Sequence, residues 1–137
     1  MLPDSQDFGA ARPEYRAVVL LVDDDPLVLS VQRRIVTRQG FECLSAETGI
    51  EALEVLAARP EVDLIVLDAI LPDVNGVTLL RELKAIKPTL KAIVCSGLIV
   101  DEPTREMLEA GADDFISKPF TAADLAGHLQ SALAWPS

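Results

Sequence analysis

Short aliphatic runs alternate with helical segments along most of the chain, and this alternation restricts the possible folds more than any other feature. Five runs have the length and composition of buried strands: residues 17–22, 41–46, 64–68, 91–96 and 114–117. Continuous hydrophobic runs are typical of parallel strands buried on both faces. Parallel neighbours need crossover connections, which are right-handed and usually helical. We therefore expect an α/β domain in which helices cover both faces of a parallel five-stranded sheet.

The segments between these runs carry helix start and stop signals. The first begins at Pro26, which suits an initial helical turn, and stops at Gly40. The start signals of the later segments are Thr48 with Glu51, Asn75, Pro103, and Thr121 with Asp124. Apolar residues recur at helical spacing, as expected for faces that pack on a sheet. They are Leu27, Val28, Val31, Ile35 and Val36 in the first helix, Ala52, Leu53, Leu56 and Ala57 in the second, Leu79, Leu80, Leu83 and Ile86 in the third, and Leu125, Leu129, Ala132 and Leu133 in the last.

The composition fits one domain and limits the possible partners. The 137 residues are half hydrophobic and only 4% aromatic, so we expect one aliphatic core. We predict the domain over residues 17–134, a flexible leader or linker over residues 1–16 and a tail over residues 135–137. The formal charge of -10 argues against direct nucleic-acid binding, which requires clustered Lys and Arg.

The cysteines and the hydropathy pattern indicate where the chain works. Cys43 and Cys95 lie in apolar runs without a CxxC pattern, so neither a zinc site nor a disulfide framework is expected. No apolar run approaches the roughly 20 residues of a membrane span, and the first residues lack the features of a signal peptide. We expect a cytoplasmic protein with reduced thiols and no membrane contact.

Charged and hydroxyl side chains follow four of the five strand runs. Asp23 and Asp24 follow the first, Asp68 ends the third, Ser96 ends the fourth and Lys118 follows the fifth. Singly, each has an ordinary explanation, because acids favour helix N-termini and a lysine is usually a solvated surface charge. The carboxyl ends of parallel strands, however, share one edge of the sheet, where α/β proteins bind ligands. The common position of these residues therefore predicts a site.

Three carboxylates at one edge repel each other. Two of them at about 4 Å repel by about 4 kcal/mol at an effective dielectric constant of about 20, and three by on the order of 10 kcal/mol. Lys118 offsets part of this, and a divalent cation is expected to offset the rest. A few carboxylates with room for water favour Mg²⁺ (or Mn²⁺) over Ca²⁺. With that cation, Asp68 could attack phosphorus and form an acyl phosphate, while Ser96 and Lys118 hold phosphoryl oxygens.

Four motifs in this order resemble those of a response-regulator receiver domain of two-component signal transduction. They are Val22-Asp23-Asp24, Leu67-Asp68 with Leu71-Pro72-Asp73-Val74-Asn75-Gly76, Cys95-Ser96-Gly97, and the run from Gly111 to Phe120. The resemblance extends over about residues 18–133. It implies a flavodoxin-like (βα)5 three-layer sandwich whose parallel sheet has the strand order 2-1-3-4-5.

The resemblance also implies the role of the acidic residues. Asp68 would accept a phosphoryl group from a phosphohistidine of a sensor histidine kinase or of a histidine phosphotransfer protein. Asp23, Asp24 and Asp68 would hold Mg²⁺ together with the backbone carbonyl of Ile70. Asp25 matches no ligand position, and we expect it to cap the first helix or to be a rim charge. The chain would be a phosphoacceptor rather than an enzyme, either a stand-alone regulator or the receiver of a hybrid histidine kinase.

Two residues match the positions that respond to phosphorylation in this family. Ser96 would be the switch hydroxyl and Phe115 the switch aromatic, while Lys118 would pair with the phosphate. The face that would change, and could bind a downstream protein or a second copy, is made by the helix after Pro103, the fifth strand and the last helix. The Lys118-Pro119 peptide bond matches one that is often cis in the family.

Two apolar residues predict a slow loss of the phosphoryl group. Ile70 and Leu98 lie two residues after Asp68 and Ser96, and the resemblance implies that these positions flank the approach of a hydrolytic water. Neither side chain can orient that water. We therefore predict slow self-dephosphorylation.

Other functions are compatible with part of this pattern. A haloacid-dehalogenase-type phosphatase also uses an Asp nucleophile on an α/β sheet, but its general acid lies two residues further on, where this chain has Ile70. An inactive receiver could serve as a protein-interaction module. His128 could suggest a histidine phosphotransfer protein, but its neighbours indicate a surface position on the last helix.

Overall fold

The structure is a computed structural model that describes residues 16–97 and 102–133. The strands are β1 (Val18–Val22), β2 (Glu42–Ala46), β3 (Leu64–Asp68), β4 (Lys91–Ser96) and β5 (Asp114–Ser117). The helices are α1 (Pro26–Arg38), α2 (Gly49–Ala58), α3 (Gly76–Ile86), α4 (Glu102–Glu109) and α5 (Ala122–Ala132). Leu98, the tail predicted for residues 135–137 and all of the predicted leader except Arg16 lie outside the described residues.

The five strands form one parallel sheet in the order β2-β1-β3-β4-β5. The predicted fold class and strand order are therefore confirmed. One core cluster packs α2, α3 and α4 on one face of the sheet, through residues such as Leu56, Leu80 and Met107. A second cluster packs α1 and α5 on the other face, through Val36 and Leu125. Because both faces are covered, the inner strands can be aliphatic at every position, which is why the sequence shows continuous runs.

Four helix starts are capped by residues at the predicted starts, and α4 begins at Glu102, one residue before the predicted Pro103. The N-caps of α1, α2, α3 and α5 are Asp25, Thr48, Asn75 and Thr121. Asp25 is thus a capping residue, and Thr121 forms a complete capping box with Asp124. At α2 the predicted box is only half formed, because the Glu51 carboxylate accepts from the amide of Glu47 at 2.9 Å.

The apolar stripes of the helices are wider than the faces that the structure buries. On α1, Leu29 and Val36 are buried, whereas Leu27 and Val31 are 76% and 59% exposed. On α2 the prediction that Ala57 faces inward is wrong: it lies one residue, about 100° around the helix, from the buried Leu56 and is exposed. Ile86, the last residue of α3, is also exposed. Helical spacing predicts which residues share a face, but only the neighbouring layer decides how wide the buried part is.

Candidate functional site

The acids of the predicted site meet at the carboxyl edge of the sheet. Val22 of β1 lies beside Leu67 of β3 in the parallel register, so Asp23 and Asp68, each one residue further on, are neighbours. One carboxylate oxygen from each of Asp23, Asp24 and Asp68 lies within 4.8 Å of the others. Asp23 is only 2% exposed, Asp68 is partly buried and Asp24 is exposed. The cluster is therefore open to solvent on the side of Asp24.

Lys118 reaches this cluster from the edge strand β5. Its backbone amide donates to the carbonyl of Ser96 at 2.7 Å, which continues the pairing of β5 with β4 past the end of the strand. From there the ammonium Nζ lies 2.8 Å from Oδ2 of Asp23 and 3.5 Å from Oδ2 of Asp68. The Lys118-Pro119 peptide bond is cis, as the resemblance implies. The Lys118 ammonium thus contacts acids at the carboxyl ends of two inner strands, β1 and β3.

Burial and charge act against each other in this cluster. Burial raises the pKa of Asp68, and the charge of Asp23 adds to that effect, while the amide of Ile70 and the Lys118 ammonium oppose it. Burial lowers the pKa of Lys118, but its hydrogen bond to Asp23 and the charges of Asp68 and Asp23 outweigh burial and raise it. Lys118 therefore stays charged at neutral pH, and Asp68 has more proton affinity than an exposed Asp. Burial is thus the main cause of the raised pKa of Asp68, and the neighbouring carboxylates are the cause of the raised pKa of Lys118.

The remaining predicted residues lie around Asp68. The amide of Ile70 donates to Oδ1 of Asp68 at 3.2 Å, and the Ile70 side chain is 65% exposed. Ser96 ends β4 one residue after Cys95, the register partner of Asp68, and is buried. Phe115 lies in β5 opposite Val94, away from the carboxylates, and packs partly buried against the core cluster that contains Met107. The structure brings the acids, Ser96 and Lys118 to one edge, while Phe115 packs on the face of the sheet that α4 helps to cover.

The donor set fits a small, hard divalent cation. Three carboxylates can each offer one oxygen, all within 4.8 Å of one another, and oxygen ligands with room for water suit Mg²⁺ or Mn²⁺. Within the described residues, no other group of three or more Asp, Glu, His or Cys side chains has this spacing. The acidic cluster could therefore bind a metal.

Comparison with protein families identifies the family of the chain that carries this acidic cluster. A family model described as response regulator receiver domain matches residues 19–130. The chain belongs to this family. The match includes all of the residues that the sequence placed at the carboxyl edge, from Asp23 to Lys118, and both switch positions.

Relatives of this receiver domain occur as short proteins and as parts of longer ones. The chain is 34% identical over 105 residues to the chemotaxis protein CheY of Bacillus subtilis, which covers 76% of this chain and 87% of that protein. It is 34% identical over 116 residues to the transcriptional regulatory protein KdpE of Mycobacterium tuberculosis, covering 85% of this chain but only 50% of KdpE. The chain thus spans about half the length of that relative.

A solved receiver domain has the same fold. The crystal structure of a response regulator receiver domain protein from Methanospirillum hungatei has a TM-score of 0.78 and 31% sequence identity. It covers 85% of this chain and 93% of that chain.

Among the described residues, no helix of this receiver is long and apolar enough to cross a membrane. Cys43 and Cys95 are both free thiols, and burial raises the pKa of Cys95 to about 12.

The sequence reasoning missed the role of one acid near the site. Asp73, in the loop after β3, accepts hydrogen bonds from the backbone amides of Gly49 at 3.0 Å and Ile50 at 3.1 Å. These bonds lower the pKa of Asp73, the Gly49 amide most strongly. The partners lie 24 and 23 residues earlier in the chain, so no local pattern could have shown the contact.

His128 lies on α5 and contacts Asp114 of β5. It does not belong to the cluster of Asp23, Asp24 and Asp68.

Proposed function

We propose that this receiver domain takes a phosphoryl group onto Asp68 from a phosphohistidine of a sensor histidine kinase or a histidine phosphotransfer protein. The observation that carries the proposal is the position of Asp68: partly buried, within 4.8 Å of Asp23 and Asp24, and 3.5 Å from the Lys118 ammonium. The protein would act in the cytoplasm as a phosphoacceptor that catalyses only its own phosphorylation and dephosphorylation. Labelling with acetyl phosphate and Mg²⁺, read by intact mass, tests it.

The chemistry is a transfer between two nucleophiles. An oxygen of the Asp68 carboxylate attacks phosphorus, a P–O bond forms, the P–N bond to the donor imidazole breaks, and the imidazole nitrogen keeps the electron pair and takes a proton. Asp23, Asp24, Asp68 and the carbonyl of Ile70 would hold Mg²⁺, which neutralises charge on the phosphoryl oxygens. Lys118 already lies near Asp68 and would pair with a phosphoryl oxygen.

The signal would leave the site through β4 and β5. Added phosphoryl charge and acceptor oxygens next to Ser96 would draw its hydroxyl toward them. Phe115 packs in the same layer as Met107 of α4, so a change at Ser96 would be met by a rotation of the Phe115 ring. The face formed by α4, β5 and α5 would then shift between two populated states and bind a downstream protein or a second copy.

The lifetime of the acyl phosphate is a separate expectation. The exposed Ile70 side chain lies beside Asp68 and offers no group that orients water. We expect Ile70→Asn to shorten the lifetime severalfold, because an amide there can bind the attacking water. The decay would be followed by intact mass after acetyl phosphate is removed by gel filtration. Ile70→Val is the matched control and should decay like the wild type; an unchanged rate in the Asn variant would sink the idea.

Exposed apolar residues on α1 support a protein donor. Leu27 and Val31 lie on one side of the helix that begins at the carboxyl edge, directly after the capping Asp25. A donor protein that brings a phosphohistidine to Asp68 must cover this edge, and it would bury both side chains. We expect Leu27→Ser with Val31→Ser to slow transfer from the cognate kinase about tenfold, equivalent to about 1.4 kcal/mol.

The control for this experiment is labelling with acetyl phosphate, a small-molecule phosphoryl donor. Acetyl phosphate needs no docking surface, so its labelling rate should stay that of the wild type in the double variant. Ile86→Ser removes another exposed apolar side chain, at the end of α3 remote from the carboxyl edge, and should leave both rates unchanged. Equal slowing with acetyl phosphate would show damage to the site rather than lost docking.

An inactive receiver that serves only as an interaction module is the competing proposal. The complete set of Asp23, Asp24, Asp68, Ser96 and Lys118 at one edge argues against it. The cognate kinase can be identified by phosphotransfer profiling against purified kinases, and the open reading frame around residues 1–137 would separate a stand-alone regulator from a receiver of a hybrid kinase.

A further inference from the structure

The loop after the phosphoacceptor is tied to another helix by a carboxylate. Asp73 uses both of its oxygens, Oδ1 toward the amide of Gly49 and Oδ2 toward the amide of Ile50. These two amides open α2, where the first backbone N–H groups have no partner within the helix. Thr48 takes the next one, because its hydroxyl accepts from the amide of Glu51 at 3.0 Å. Two caps therefore share the same helix start, one local and one from a loop more than twenty residues further on.

Close packing holds the same loop at two more points. The loop approaches α2 so tightly that a Cβ on Gly49 would lie 2.3 Å from Cγ2 of Val74. At its far end, a Cβ on Gly76 would lie 2.7 Å from Sδ of Met107 in α4. Only glycine permits either approach without displacement of its neighbours. The loop of residues 69–75 therefore packs against the start of α2 and leads directly into the close contact of Gly76 with α4, while Asp73 supplies its hydrogen bonds to α2.

Ile70 lies at the other end of this loop. Its amide donates to Asp68, and its neighbour Ala69 donates to the carbonyl of Cys95 at 2.9 Å. The backbone between Ile70 and Asp73 contains the buried Leu71 and the exposed Pro72. The direction of the Ile70 carbonyl therefore depends on how this short stretch is held at both ends.

We propose that Asp73 is a positioning residue of the metal site: its bonds to the start of α2 hold the loop so that the Ile70 carbonyl completes the ligand set of Asp23, Asp24 and Asp68. This inference rests on the proposed function for its metal ligands. It assigns Asp73 no contact with the metal or the phosphoryl group. Its effect should appear in metal affinity, even where no phosphoryl donor is present.

The test compares two caps of the same helix. Asp73→Ala removes the cap that comes from the site loop, and Thr48→Ala removes the local cap only. Binding of Mn²⁺ is measured on the full chain from the electron paramagnetic resonance signal of the free ion. Partners that orient metal ligands typically change affinity by 10–100-fold. We expect Asp73→Ala to weaken Mn²⁺ binding about tenfold and Thr48→Ala to leave it unchanged.

A conservative variant and a second readout complete the test. Asp73→Asn keeps one acceptor oxygen, so it should weaken Mn²⁺ binding less than Asp73→Ala. It replaces Asp73→Ala in the test if that variant folds poorly. The amides of Gly49 and Ile50 should exchange hydrogen faster in Asp73→Ala. Wild-type Mn²⁺ affinity in both Asp73 variants, or equal weakening in Thr48→Ala, would overturn the inference about Asp73 and leave the proposed function intact. A wild-type protein that binds no Mn²⁺ would instead overturn the metal assignment of the proposed function and the inference with it.

Discussion

Replacement of Asp68 by alanine should abolish phosphorylation of the protein by acetyl phosphate. The carboxylate oxygen of Asp68 is the nucleophile in the proposed transfer. Among the described residues, Asp68 and Asp23 are the acids that are at least partly buried and also contact a lysine ammonium. Asp23 is almost fully buried and already bonded to Lys118 at 2.8 Å, so it cannot substitute for Asp68 as an open acceptor. Intact mass after incubation with acetyl phosphate and Mg²⁺ should show one added phosphoryl group in the wild type and none in the variant.

A nearby acid provides the matched control. Asp25 lies two residues after Asp23 and caps α1 through its side chain, without belonging to the cluster of three carboxylates. Asp25→Ala should therefore lose some stability, about 1 kcal/mol for an N-cap, and still be labelled. Removal of Mg²⁺ with a chelator should stop labelling of the wild type. Labelling of Asp68→Ala at the wild-type rate would move the acceptor to another residue and contradict the proposed function.

Replacement of Lys118 by methionine should slow labelling by about a hundredfold and at the same time tighten Mg²⁺ binding. The slower rate follows because removal of one preorganised donor that stabilises transition-state charge typically costs about 10²–10³ in rate. The tighter binding follows because the ammonium lies 2.8 Å and 3.5 Å from two of the carboxylates and competes with the metal for their charge. A unit charge at about 4 Å contributes about 4 kcal/mol at an effective dielectric constant of about 20, before solvent screening reduces it.

These opposite changes distinguish Lys118 from a residue that only supports the fold. The rate would be measured at saturating Mg²⁺ and the affinity by titration calorimetry on the same preparation. Lys84→Met is the matched control, because Lys84 pairs with Asp113 at 3.1 Å and does not belong to the site. A loss of both affinity and rate in Lys118→Met would indicate a collapsed site, and a wild-type rate would remove Lys118 from the proposed chemistry.

Much of the fold was predictable because local signals and global requirements agree. The aliphatic run that ends at Asp68 can be buried on both faces only in a covered parallel sheet, and crossover helices then place every strand end at one edge. Caps at Asn75 and Thr121 act within three residues, so a sequence pattern shows them directly. The order of strands was different: it followed from the resemblance to receiver domains, since alternation alone does not say which strands are neighbours.

The sequence by itself determined the alternation of strands and helices, the helix starts, and the gathering of Asp23, Asp68 and Lys118 at one edge, because these depend on periodicity, capping chemistry and the direction of parallel strands. The tertiary structure alone decided how the layers cover each other and where distant side chains end. It left Leu27 exposed although it belongs to an apolar stripe, and it brought the Asp73 carboxylate to the amides that open α2. Both outcomes depend on contacts between segments far apart in the chain, and local patterns carry no information about such contacts.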